Sequence, residues 1–96
     1  MNPYGRTVDG VEVWVTQHAR TRGKERFPRM RTSRIAAEVA QAVRQGRLSA
    51  RKPSGLNGHD DPKGLYAWTR DGCRVYVVRP THACYVVMTT MRPVGR

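Results

Sequence analysis

The chain has 96 residues, with 18 Lys and Arg against seven Asp and Glu, and a formal net charge of +11. A chain of this length makes one domain, residues 1–96, with a thin core, because it buries only about 60–70% of its unfolded surface. The charge favours polyanionic partners over neutral or basic ones, and the lack of any run of about 18 apolar residues argues against a membrane span.

The cations are spread along the whole chain, ten in residues 1–48 and eight in 49–96, so this is no basic tail on a neutral body. Fifteen of the 18 are Arg. No N-terminal apolar run resembles a signal peptide, and a cytoplasmic location is the expectation. Cys73 and Cys84 are too few for a disulfide scaffold. They are expected on two arms of a hairpin, out of register with each other, as buried thiols.

Residues 1–7 read as loose. From Val8 to Thr16, Val11, Val13 and Val15 alternate with Glu12 and Trp14, which predicts a strand. A basic segment follows, holding Arg20, Arg22, Lys24, Arg26, Arg29, Arg31 and Arg34 against Glu25 alone. Its first part reads as a short helix, weakened by Gly23 and ended by Pro28. A clearer helix comes next: Thr32 or Ser33 caps it, and Ile35, Ala36, Val39, Ala40 and Val43 recur at helical spacing. Gly46 marks its C-terminal stop.

Residues 49–63 read as a long loop, with Pro53, Gly55, Asn57-Gly58 and Pro62 as turn chemistry. Three strands are expected after it: Leu65–Arg70, Cys73–Arg79 and Ala83–Met91. Asp71-Gly72 is the turn between the first two. The sum is an α+β domain of order β-α-α-β-β-β, its two helices packed on one face of a mostly antiparallel four-stranded sheet. The other sheet face must then be solvated or bind something.

His18, Arg22 and Arg26 stand at intervals of four residues and share one helix face. An imidazole beside two guanidiniums suits a phosphodiester, because one group moves protons while the others hold negative charge. His18 is the candidate acid or base and Arg22 the candidate phosphate clamp. Arg26, about 12 Å along the axis at ~1.5 Å per residue, suits a neighbouring phosphate. Arg20, Arg29 and Arg31 extend the basic surface, and Arg74 and Tyr76 alternate on the middle strand as a phosphate contact and a base-stacking ring. The competing reading of each is plain: a surface histidine, a solvated basic face, ordinary strand composition. Trp14 and Trp68 are expected as core anchors.

With this order in hand, the chain resembles the broad group of small toxin-like domains that includes RelE/ParE-type toxins, colicin and EndoU-like ribonucleases. His18, Ala19, Arg22 and Arg26 match an opening H-A-x-x-R-x-x-x-R pattern. Ile35 to Val43 matches the helix, and Cys73 to Val78 with Val86-Val87-Met88-Thr89 match the closing strands. The chain departs from the group at Gly23, at the extended basic stretch Phe27–Ser33 and in the long loop. The resemblance implies Thr89 lining the site; the His18 and arginine set suits metal-independent RNA cleavage, and so basic a sequence favours an acidic antitoxin or immunity protein as partner.

Other chemistries fare worse. His59, Cys73, His82 and Cys84 lack the paired close spacings of a zinc site, so no metal and no cofactor is expected. Asp60-Asp61 and Asp71 sit in turn chemistry and do not suit a two-metal nuclease. Three functions remain: a metal-independent ribonuclease-like toxin or effector acting on RNA, a non-catalytic basic nucleic-acid-binding module, and a small Arg-rich protein-binding regulator such as a phage or host inhibitor.

Overall fold

A valine-rich strand at each end of the chain sets the frame. β2 (Val11–Val15) and β6 (Tyr85–Met91) lie side by side and parallel, with Val13 opposite Tyr85 and Val15 opposite Val87. The computed structural model describes residues 4–52 and 64–93. Around that pair, β1 (Tyr4–Val8), β3 (Leu48–Ser49), β4 (Leu65–Trp68) and β5 (Val75–Pro80) complete a six-stranded sheet of order β1-β2-β6-β5-β4-β3. Every pairing except β2 with β6 is antiparallel.

This corrects the four-stranded, mostly antiparallel sheet expected from the sequence. The sheet is mixed and six-stranded, and the order is β-β-α-α-β-β-β-β. Two strands account for the difference. Residues 4–8 are not loose; they form the outer arm of a hairpin with β2. The turn is Asp9-Gly10, both at positive φ (49° and 82°), the backbone that joins two twisted strands in two residues. The other addition is β3, a two-residue edge paired with β4. Residues 53–63 of the expected long loop lie outside the described residues.

α1 (Gln17–Arg26) starts where Thr16 Oγ1 accepts from the Ala19 backbone N–H. It lies chiefly over β6. Gly23, a poor helix former, is explained by closeness. A Cβ there would meet the Ile35 Cδ1 at 3.0 Å and the Thr90 Oγ1 at 3.6 Å. Thr90 Oγ1 donates to the Ala19 carbonyl at 3.1 Å and ties α1 to the sheet.

α2 (Thr32–Arg44) packs over β1 and β2 and carries the amphipathic pattern, with Ile35, Ala36, Val39, Ala40 and Ala42 buried. Neither Thr32 nor Ser33 caps it; Arg31 occupies that position without a side-chain bond. Its end is as expected. Gly46 takes φ +73°, and the Gly46 and Arg47 N–H groups donate back to Val43 and Ala42.

The main core joins these helices to Val13, Val15, Ala67, Tyr76, Val78 and Val87. Strand alternation sends every second residue of these strands to the opposite face. There Tyr66, Val75, Val77 and Met91 form a second buried cluster, with Trp68 and Met88 at its margin. Trp14 is no core anchor: it is 37% exposed. Nor does Asp71-Gly72 make a two-residue turn, since residues 69–74 all lie between β4 and β5. Cys73 and Cys84 are free, and Cys73 is exposed where a buried thiol was expected. Among the described residues, no helix is long and apolar enough to cross a membrane.

Gly23→Leu forces a branched side chain between α1, Ile35 and Thr90. The expected outcome is a loss of about 2 kcal/mol of stability, the usual cost of overpacking, read as a lower urea midpoint.

Candidate nucleic-acid interface

His18, Arg22 and Arg26 share one side of α1 but face different surroundings. His18 is exposed on the first turn. Arg22 Nη1 donates to Glu25 Oε1 at 2.8 Å in a surface ion pair. Arg26 Nη1 turns inward and donates to the Thr90 carbonyl at 3.0 Å. Arg20, on the other flank, is half-buried, with its Nε enclosed and without a partner among the described residues.

Thr89 is not beside His18. It pairs with Val77, whose side chain belongs to the cluster on the face away from the helices, so Thr89 points there too. It is 5% exposed. The sheet therefore separates this hydroxyl from α1, and the expected grouping of His18, Arg22 and Thr89 around one phosphate is not assembled.

Arg74 and Tyr76 also take a different role from the one expected. Both point towards α2 and meet Glu38. Arg74 donates twice to the Glu38 carboxylate, through Nε at 2.8 Å and Nη2 at 2.5 Å. The Tyr76 hydroxyl donates to Glu38 Oε1. Arg34 Nε adds a bond at 3.2 Å from one turn earlier on α2. Tyr76 is 1% exposed and cannot stack on a base.

Burial pushes the Glu38 carboxyl up, but the bonds from Arg74, Tyr76 and Arg34 and the Arg74 charge outweigh it. The net position is below the ordinary value of 4.5. The Tyr76 hydroxyl is driven up by burial and then by the Glu38 charge. Arg74 is raised by its bonds to Glu38 and stays charged. The network is thus one carboxylate holding two guanidiniums and a phenol, a bidentate fork at its centre.

Two arginine-lined grooves flank the connection between the helices. One, of about 480 Å³, is lined by Arg6, Arg29, Arg31 and Arg34 with Val8 and Ala37. The other, of about 430 Å³, is lined by Arg26, Arg29, Arg34, Arg74, Arg92 and Phe27. Arg29 and Arg34 belong to both. Neither groove includes His18 or Arg22.

Six of the seven groove guanidiniums divide into two sets, Arg6 apart. Arg26, Arg34 and Arg74 are fixed by the bonds above. Arg29, Arg31 and Arg92 are exposed and make no ion pair with any described residue. The sequence pointed to Arg26, Arg29, Arg31 and Arg74 but missed Arg6, Arg34, Arg92 and Phe27. One signal for the network was present, because Glu38 is the only acid between Glu25 and Asp60.

Because the Glu38 carboxyl is held low, its contribution is present at neutral pH and is lost as pH falls below about 4.5, where the unfolded chain takes up the proton first. Glu38→Gln leaves Arg74 enclosed without its counter-charge. The expected result is a loss of about 3 kcal/mol at pH 7 and a shallower decline of stability with acid, both read from denaturation curves at several pH values. Compared with family models, with curated proteins and with solved structures, the chain matches none.

Proposed function

We propose that this domain is a non-catalytic module that binds the phosphate backbone of nucleic acid along the two grooves around residues 26–34. The observation that carries the reading is the set of exposed guanidiniums of Arg29, Arg31 and Arg92, unpaired among the described residues, beside three that are hydrogen-bonded. Guanidinium forks match phosphate oxygens, and pre-fixed forks lose little freedom on binding. Glu38 is the only carboxylate bonded to the groove arginines among the described residues, and its charge is already spent on Arg34 and Arg74. The excess positive charge therefore faces outward.

The resemblance of His18-Ala19, Arg22 and Arg26 to the toxin group favours RNA as the nucleic acid. An acidic antitoxin-like protein covering the same grooves would compete with it. The ribonuclease reading has less support, because His18 stands apart from the arginine grooves and from Thr89.

Binding of a fluorescent RNA oligomer, followed against salt, tests the reading. The logarithm of the affinity should fall linearly with the logarithm of salt, and the slope should lessen by about 0.7 for each phosphate contact removed. Arg29→Ala with Arg31→Ala should therefore lower both affinity and slope. An affinity insensitive to salt, or unchanged in the double variant, contradicts the proposal. RNA kept with the protein in EDTA should stay intact; cleavage that His18→Ala abolishes would restore the catalytic reading.

A further inference from the structure

The two grooves differ in one respect that charge does not explain. Among the described residues, the groove lined by Arg6 and Arg31 has no aromatic side chain. The other contains Phe27, with Pro28 and Met30 beside it, among its guanidiniums. Phosphate needs none of these apolar groups. Phe27 is half-buried, at the point where α1 ends and the chain turns into the basic connection.

The ring is held by its neighbours. The Arg74 guanidinium lies 5.5 Å from its centroid, and Arg74 is itself clamped by Glu38. The Phe27 backbone N–H donates to the Gly23 carbonyl at 2.8 Å, and its carbonyl accepts from Met30 N–H at 2.9 Å. Met30 Sδ lies 3.6 Å from the Tyr76 hydroxyl, which fixes the neighbouring apolar group. A ring anchored in this way is a ready platform, set in an open groove of about 430 Å³.

We infer that the Phe27 groove takes one unpaired base of a single-stranded nucleic acid, stacked on Phe27, while the flanking phosphates lie against Arg29 and Arg92. This rests on the nucleic-acid reading above and narrows it. Only an unpaired base can turn its face to a side chain; a duplex keeps its bases stacked inside and offers the grooves phosphates alone. Stacking tolerates any base, so the pocket selects strandedness and not sequence.

The experiment is fluorescence anisotropy with one labelled oligonucleotide, single-stranded or annealed to its complement, at fixed salt. The probes meet the native protein, Phe27→Leu and Phe27→Trp. The native protein should bind the single strand about tenfold more tightly than the duplex, the difference expected from one stacked base. Phe27→Leu should erase that preference and leave duplex affinity and its salt slope in place. Phe27→Trp should keep or raise the preference, which separates stacking from a general weakening of the fold. Equal affinity for the two forms in the native protein, or an equal loss on both in Phe27→Leu that Phe27→Trp does not repair, overturns the inference while leaving backbone binding intact. Absence of salt-dependent binding to either form overturns backbone binding as well.

Discussion

One carboxylate organises the charged half of this domain. Glu38 projects from α2 and receives Tyr76 from β5, Arg74 from the residue just before β5, and Arg34 from its own helix. Without it, the largely buried Arg74 guanidinium would sit at the helix–sheet junction without a carboxylate to accept its hydrogen bonds. With it, α2 is tied to the sheet by a directed contact as well as by the apolar packing of Ile35, Val39 and Ala40. The same contact sets the planes of two guanidiniums that line the grooves. Structure and candidate function therefore share one anchor.

The distribution of paired and unpaired charge follows from this anchor. Asp9 pairs with Arg44, Glu25 with Arg22, and Glu38 with Arg34 and Arg74. The surface pairs contribute little in water, and only the enclosed pair at Glu38 has a large structural consequence. Among the arginines without an ion pair to any described residue, Arg29 and Arg31 stand on the connection between the helices, where Phe27, Pro28 and Met30 break the run of arginines. That connection cannot continue the helix, because Pro28 removes a donor and restricts the residue before it. It displays Arg29 and Arg31 on a short turn against a rigid base.

Much of the fold was legible in the residues. Helical spacing in Ile35–Val43 gave α2, and Gly46 its end. The alternation of Val11, Val13 and Val15 gave β2, and three closing strands fell within a few residues of where they stand. The first strand was missed although Asp9-Gly10 announces a hairpin as clearly as any dipeptide can. Arg6 and the short run around it look polar, and an edge strand needs only one buried side. The parallel pairing of β2 with β6 has no local signal, since it joins segments some 70 residues apart in sequence. The site was harder. Spacing correctly put His18, Arg22 and Arg26 on one side of a helix, but could not say that Arg26 turns to the Thr90 carbonyl. Alternation placed Arg74 and Tyr76 on one strand face; only the packed structure shows that this face is covered by α2. Thr89 lost its expected place because an extra residue in β6, at the irregularity opposite Val77 and Val78, resets which side chains face the helices.

The central claim is that nucleic acid lies on the surface around residues 26–34 and not on the first turn of α1. Backbone amide NMR shifts, recorded while an RNA oligomer is titrated into the native protein, test it most directly. The largest changes should fall on residues 26–34 and on Arg92. Changes concentrated at residues 16–19, or on the opposite sheet face around Trp14 and Thr89, would contradict it.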